Sequence, residues 1–587
     1  MYIKTYPNKD KTDKAVYIFT SKPGKKKSVK LESYPSWNKL KEEHNDVDAF
    51  LSYRMKELEK QANQLKAEYK TVTIDIHKKH SFDGDDISLC KNAGYLFLQK
   101  AYFELLIDPS IRKWKHDNNY KIHYSLPDAV KLLAYERVIN PCSKLATSKL
   151  SKNFLENYDL SVDDLYDSLD RIDTFSERLT KRLSSACASK LGIGDTVYYD
   201  CTNFYFEIEN ADDEKGLRDY GVEKNHRPDP IVEYGLLLNS NGYPIGSKTF
   251  RGNESEKTSM VSAMLAAGDE ATAGKIIVAD AGLNTSANKD AIHSTGRNYI
   301  FAQSPKTISE DNLVDMFDDK GWIEYDNGKK KVKSYWIQRG KGVEERLVVR
   351  FDKASYDYMN HVIDTRVERA KKYTKHPTTA PFPSSQDGKQ YLKKISVDKK
   401  TAEINELATV YEIDEEKIQE DRKYAGYTLF VTDIPREKDD EDGHFTKLKK
   451  EGYRVEFMDD IEILKIAGKR NDIESCFREM KSSLKARPIY VRKPEHIKAH
   501  LMIVYLALTL LMYIRAKYVP EMTSERLLAA IRNYTMTEFS ADDGIWVVNY
   551  ASNDVKELAK SIGLENIDRK YLTINEIKEM ISSSKVC

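Results

Sequence analysis

A mixed α/β fold with a mainly helical N-terminal region is what this sequence predicts, on three observations. From Asp86 to about Leu191 the apolar residues recur at helical spacing, segment after segment. At Asp195 the texture changes to alternating aromatic and branched residues, first as three strand-like runs and then as helix alternating with strand. Within that second pattern stand three acidic residues in distinctive settings: Asp200 in YYDCTNFYFE, Asp280 in KIIVADAGLNTSAN and Glu474 in KRNDIESCFREMKSSLKARP.

Residues 1–34 alternate around AVYIFTS and read as a short β-hairpin segment, and residues 36–69 carry charges at helical spacing, as an exposed helical pair or arm. The helical region follows; in LPDAVKLLAYERVINPCSKLATSKL, Pro127 sits near a helix start and Asn140-Pro141 ends it. A helix-turn-helix within this region is one option, and purely structural helices are the other. DTVYYDCTNFYFEIE, IVEYGLLLN and YPIGSKTF then form a meander, the last two joined through the turn Ser240-Asn241-Gly242. The helix SEKTSMVSAMLAAG, the strand KIIVA, the helix TSANKDAIHSTG and the strand NYIFAQ complete an order that is the ribonuclease H-like one.

From about Lys306 to Tyr424 the order is lost among strand patches, a charged helix from Ala354 to Lys375 and the loop HPTTAPFPSS, a stretch too long and too structured for a connection. The chain is therefore expected to divide into a mainly helical, DNA-binding region at 1–190, a first core part at 191–304 and an inserted β-containing subdomain at 305–425. The second core part, with the Glu helix, is expected at 426–520, and a C-terminal helical segment at 521–587.

The 587 residues exceed what one hydrophobic core usually supports. Hydrophobic residues at 40%, charged residues at 32% and a mean hydropathy of -0.63 exclude a disordered or membranous chain. The longest apolar run, Leu501–Ile514, is 14 residues, shorter than a bilayer span, and reads as a buried helix. MYIKTYPNKDKTDK has charges without an apolar core and reads as no secretory leader. Six Cys without CxxC or Cys/His spacing point to a reduced, cytoplasmic setting without structural zinc, and the pairs His77/His80 and His496/His500 lack a third ligand nearby. A net charge of +1 leaves nucleic-acid binding open, because a balanced chain can still carry a basic face.

Asp200 lies in an apolar strand, where a carboxylate needs a cation or strong donors; the alternative is the solvated side of an edge strand. Asp280 ends the strand Ile276-Ile277-Val278-Ala279, where ligands gather in α/β sheets, or else caps the next helix. Around Glu474, Ile473, Phe477, Met480 and Leu484 share a buried face, while Arg470, Glu474, Arg478, Lys481 and Lys485 recur at 4, 4, 3 and 4 residues on another. An i,i+4 pair of Glu474 with Arg478 is worth only a few tenths of a kcal/mol, roughly, and leaves the other cations unmatched. A phosphate backbone passing a metal-binding Glu accounts for them.

Together these residues resemble the DDE transposases of bacterial insertion sequences, in particular the insertion-sequence-four superfamily, with its ribonuclease H-like core and β-rich insertion between the second Asp and the Glu. The family's Tyr-x2-Arg-x3-Glu-x6-Lys signature falls on Arg470, Glu474 and Lys481, with Ala467 in place of the Tyr. GVEKNHRPDP, PIGSKTFRGNESE and SLKARPIYVRKPEHIKAHL are also similar to the family. The resemblance covers about residues 195–303 and 426–515.

It implies a bacterial, cytoplasmic enzyme that nicks DNA at the element end and transfers the freed 3′ hydroxyl into target DNA, with or without a hairpin across the ends. Two Mg²⁺ ions, replaceable by Mn²⁺, would be held by Asp200 between them and by Asp280 and Glu474 on either side. The implied partners are double-stranded transposon-end and target DNA and a second copy of the chain, with no membrane. His226 and Arg227 would hold a phosphate or brace a loop; Trp322 and Trp336 would stack a displaced base or pack a core. Two other readings remain: a ribonuclease H-like nuclease that does not join, and a non-catalytic DNA-binding descendant, which the Ala467 departure keeps open.

Overall fold

Alternating branched and aromatic residues build a nine-stranded sheet, numbered here in chain order: β1 Thr196–Tyr205, β2 Ile231–Asn239, β3 Pro244–Arg251, β4 Ile276–Ala279, β5 Asn298–Gln303, β6 Ile323–Tyr325, β7 Lys330–Gln338, β8 Glu344–Asp352 and β9 Tyr427–Thr432. Six helices bear on the site: α1 Leu126–Ile139, α2 Val162–Leu191, α3 Glu256–Ala267, α4 Asp460–Gly468, α5 Asn471–Lys481 and α6 Pro494–Tyr518. The computed structural model describes residues 2–21, 28–68, 90–192, 194–208, 210–213, 215–221, 229–268, 275–339, 344–375, 388–395, 410–440, 457–540 and 544–586.

The meander forms as its sequence predicts. β1 and β2 pair antiparallel with Asp200 opposite Leu236, and β2 turns into β3 through Gly242, whose φ of +77° is the left-handed geometry that suits a glycine there. All of β2 is buried, as its unbroken apolar run requires. β4 then lies parallel to β1, with Thr196 opposite Ile276 and Tyr199 opposite Ala279, and β5 lies parallel to β4. Such parallel steps need crossovers, which α3 and the helix Ser286–Ser294 supply. The order β3-β2-β1-β4-β5 is the ribonuclease H-like arrangement.

The sheet does not stop at β5. β9 pairs antiparallel with β5 on one side and with β8 on the other, and β7 and β6 follow. Part of the segment expected as a separate insertion, residues 323–352, thus continues the core sheet. The rest of it carries its own small core of Ile363, Val367, Ala370, Tyr391 and Ile418 around the helix Lys353–Lys375.

The seam between the two halves is polar and buried. Glu345 on β8 accepts from Lys289 Nζ at 2.7 Å and from Tyr299 Oη at 2.8 Å, and Asp433 just past β9 accepts from Asn298 Nδ2 and Tyr299 N on β5.

On the other side of the sheet α6 packs against α2, α1 and β3. The helix is longer than the apolar run suggests, 25 residues, and by length and composition alone it could cross a bilayer; here 94% of its most apolar 18-residue window is buried inside the protein. An α-helix apolar all round is one with neighbours on every side.

The chain divides into two compact units, residues 1–86 with 540–543 and residues 87–539 with 544–587. The first holds an antiparallel sheet of Tyr2–Pro7, Lys14–Ser21 and Ser28–Tyr34, one strand more than a hairpin, with helices Trp37–Glu43 and Val47–Glu68 around Val16, Ile18, Leu40, Val47 and Leu51. The helices of 95–191 belong with the main sheet in the second unit, so the break falls well before residue 190. The C-terminal segment is not only helical. Its strands Thr535–Ser540, Ile545–Tyr550 and Tyr571–Thr573 form a four-stranded sheet with Cys90–Asn92.

Glu345→Ala leaves Lys289 buried without its carboxylate, a loss typically worth about 3–5 kcal/mol. We expect its denaturant midpoint to fall accordingly, whereas Leu145→Ala, at a side chain 50% exposed, moves the midpoint by less than about 0.5 kcal/mol equivalent. Equal midpoints for the two variants would refute the role given to the seam.

Candidate active site

The parallel register of β1 and β4 determines the first half of the site. Tyr199 faces Ala279, so the next residues along, Asp200 and Asp280, emerge side by side where adjacent strands run about 4.8 Å apart. Alternation along β1 puts Tyr198, Asp200 and Thr202 on one face and Tyr199 and Cys201 on the other. The first face meets helices: Tyr198 Oη donates to the carbonyl of Ile466 on α4, and Lys481 on α5 donates to Thr202 Oγ1. The second face meets α3, where Tyr199 Oη donates to Ser259 Oγ at 2.7 Å.

Asp280 follows β4 with extended backbone and accepts from Ala281 N at 2.7 Å, capping the short 3-10 turn Ala281–Leu283. The capping role and the ligand role therefore coincide in position. The Arg470 guanidinium also donates to Asp280 Oδ1 at 2.8 Å. Asp200 accepts from Cys201 N at 2.7 Å.

The second half of the site comes from α5. Ile473, Cys476, Phe477 and Met480 are buried beneath it, and Glu474, Arg478 and Lys481 lie along the side that borders the cavity. That cavity, about 570 Å³, is lined by Asp200, Asp280 and Glu474 together with Thr202, Glu256, Arg478, Lys481 and Arg487. Three acids separated by 80 and 194 residues in sequence thus share one wall-bounded space.

The basic column is only partly helical. α4 ends at Gly468 with Ala467 buried there, and α5 follows Arg470, its N-cap, whose backbone is already helical and whose guanidinium reaches Asp280. Beyond Lys481 the helix stops, and Lys485, with φ +44°, turns away to line a different cavity. The stripe read from the sequence therefore runs from the cap Arg470 through Glu474, Arg478 and Lys481 and loses Lys485. Lys481 also lies 5.9 Å from the Phe204 ring.

Trp322 and Trp336 do not reach the cavity lining. Trp322 donates to the Asp318 carbonyl at 2.9 Å and lies under Lys331 and Lys333, each 4.7 Å from its ring, while Trp336 is half-buried on β7. His226 and Arg227 lie outside the described residues.

Sequence reasoning missed Thr202, Glu256 and Arg487. Thr202 was accessible through alternation, two residues past Asp200 on the same face. Glu256 opens α3, and an acid in a first helical turn is so common that it gave no distinct signal. Arg487 belongs to no periodic pattern.

A metal fits the chemistry of these donors: Asp200, Asp280, Glu474 and Glu256 offer only oxygen, the ligand type of Mg²⁺ and Mn²⁺. They do not form a preassembled chelate. Among the described residues no group of three or more acidic, His or Cys side chains converges closely enough to enclose an ion, and Asp280 is engaged by Arg470.

Residues 236–510 match the family described as Transposase DDE domain. The match starts within β2, at the residue opposite Asp200 in register, so it takes in Asp280 and Glu474 and leaves Asp200 outside it, upstream in sequence. The sequence matches no curated protein. Among solved structures the chain is similar to a piggyBac transposase synaptic complex with hairpin DNA, at 9% identity and a TM-score of 0.34 over 84% of this chain and 85% of that one, too distant to bear on fold or function. Over residues 236–510 the chain is thus similar to the transposase DDE domain, with Asp280 and Glu474 inside the matched stretch.

Proposed function

We propose that this protein is a bacterial insertion-sequence transposase of the insertion-sequence-four superfamily, cleaving DNA at the element ends and joining the freed 3′ hydroxyl to target DNA. The observation that carries the reading is the common cavity of Asp200, Asp280 and Glu474, bordered on α5 by Arg478 and Lys481. On this reading Asp200, Asp280 and Glu474 hold two Mg²⁺ ions, with Glu256 as a further oxygen donor at the rim. Bound there, the metal supplies electrophilic activation of the phosphodiester and a more acidic attacking hydroxyl.

The chain's own residues do the rest. Arg478 and Lys481 neutralise the phosphates entering the cavity, and Lys481 is held in place by Thr202. Arg470 bonds Asp280 and limits the repulsion among the carboxylates. The substrate is double-stranded DNA in the cytoplasm, engaged by a homodimer that brings two element ends together.

Glu474→Gln is expected to abolish Mg²⁺-dependent cleavage and joining while leaving DNA affinity near the wild-type value. Arg478→Ala with Lys481→Ala should instead weaken binding and flatten its salt dependence, by about 0.9 in logarithmic slope for each phosphate no longer neutralised. Gel-shift titrations at several salt concentrations beside a cleavage and strand-transfer assay separate the two defects. Cleavage at the wild-type rate in the Gln variant would remove Glu474 from the chemistry, and cleavage without joining by the wild-type protein would make it a nuclease.

Arg470→Gln releases Asp280. A part-exposed ion pair is worth about 0.2–1 kcal/mol, so Mn²⁺ should bind the DNA-free variant more tightly by up to about fivefold in a calorimetric titration. Weaker binding would mean that Arg470 orients Asp280 rather than competing with the metal.

A further inference from the structure

A second cavity, of about 240 Å³, gathers Arg137 from α1, Lys144, Lys485 and Arg487, and His500 from α6. Among the described residues its lining contains no carboxylate and none of its four cations forms an ion pair. Lys144 is 5% exposed, His500 5% and Arg137 7%, so this is charge held inside the fold rather than a solvated surface patch. Buried cations are costly unless an anion or strong acceptors meet them.

The acceptors present are few. His500 Nε2 faces the Ala486 carbonyl at 3.1 Å; a carbonyl only accepts, so the ring proton sits on Nε2 and Nδ1 accepts from Lys144 Nζ at 3.1 Å. That uses one of the three ammonium donors of Lys144. Arg137 reaches carbonyls of Leu484, Lys485 and Cys142 only at 3.3–3.5 Å, and its buried Nε has no partner; neither has the buried Nη1 of Arg487. Burial and the neighbouring Arg137 bring Lys144 down to about 7, and burial brings Arg137 down to about 10. The ensemble has donors to spare and lacks an anion.

The cavity is open to the outside at Lys485 and Tyr490, the latter 74% exposed. Arg487 lines both this cavity and the one holding Asp200, Asp280 and Glu474, so the two are neighbours across one guanidinium. Tyr490 and the partly exposed Tyr166 stand at the same cavity, where an aromatic face can stack a base.

We propose that this pocket seats a backbone phosphate of the bound DNA strand, a second anchoring point adjoining the acidic cavity across Arg487. The inference rests on the DNA reading above. It assigns phosphate binding to Arg137, Lys144, Lys485 and Arg487, with His500 acting as a positioning residue that orients the Lys144 ammonium.

The test uses the full chain, with Lys144→Gln inside the pocket and Lys485→Gln at its exposed mouth, the second chosen because it threatens folding least. Anisotropy titrations with a labelled duplex at several salt concentrations should show the logarithmic salt slope reduced by about 0.9 in each variant. A melting temperature within the error of wild type certifies folding. Thermal shifts with inorganic phosphate form the second arm. If the wild type binds the duplex and Lys485→Gln keeps the full slope, the pocket proposal is overturned while the DNA reading stands. If the wild type binds no duplex, the DNA reading falls and takes this inference with it. If inorganic phosphate stabilises the wild type but not Lys144→Gln, and both keep the same slope with duplex, the pocket serves a free phosphate and the proposal is likewise overturned.

Discussion

The site depends above all on one parallel pairing, β1 against β4. Their register makes Asp200 and Asp280 neighbours, although 80 residues of meander, helix and turn separate them in sequence. Because side chains alternate along a strand, a slip by one residue would swing Asp200 onto the face where Tyr199 and Cys201 meet α3. Hydrophobic pattern prevents that slip. Both faces of β1 are buried from Thr196 to Phe204 except at Asp200, and the four residues of β4 are buried throughout, so a one-residue slip would carry the carboxylate into covered surroundings.

The third acid depends on packing rather than pairing. α5 reaches β1 by burying Ile473, Cys476, Phe477 and Met480, and this leaves Glu474 on the cavity that Asp200 and Asp280 line. The two modes of support differ in rigidity. Backbone pairing constrains the aspartates directly, whereas the position of Glu474 follows from a helix seated by four apolar side chains and by the bond from Lys481 to Thr202. The sheet beyond β5 adds a further brace: β9 is paired on both sides, and the buried Lys289–Glu345 pair holds the added strands to the helix that follows Asp280.

The sequence showed the meander, the parallel crossovers and the acids because each has a local signature: alternation, a Ser-Asn-Gly turn, a strand ending in Asp. It did not show that residues 323–352 extend the same sheet. Alternation in KKVKSYWIQ announces a strand without naming its partner, and the partner, β9, begins 75 residues after β8 ends. Nor did periodicity show that the basic column breaks. Lys485 falls at helical spacing from Glu474, yet the helix ends at Lys481, at a boundary that a 3.6-residue period cannot define. Gly468, where α4 ends, was the one audible boundary signal, a residue that commonly ends a helix. The membrane-length helix was underestimated for a related reason: Pro494 through Tyr518 mixes His, Lys and Tyr into an apolar run, and only the surrounding helices reveal that His496, His500, Tyr505 and Tyr513 are buried while Lys498 stays exposed.

Charge illustrates the limit of whole-chain quantities. A net +1 describes this protein as neutral, yet the fold collects carboxylates around one cavity and unpaired cations around the next, with Arg487 belonging to both. Each set is costly alone: the acids repel one another, and the buried cations have given up water for a few long hydrogen bonds to carbonyls. Arg470 on Asp280 relieves the first set only in part, and among the described side chains of the second cavity no carboxylate meets its cations, Lys144 having only the neutral His500 ring. A polymer that brings divalent counterions to the acids and phosphates to the bases relieves both at once. On the proposed function, the juxtaposition is an electrostatic cost that a metal-loaded nucleic acid would remove, which would be a physical reason for the two cavities to lie side by side.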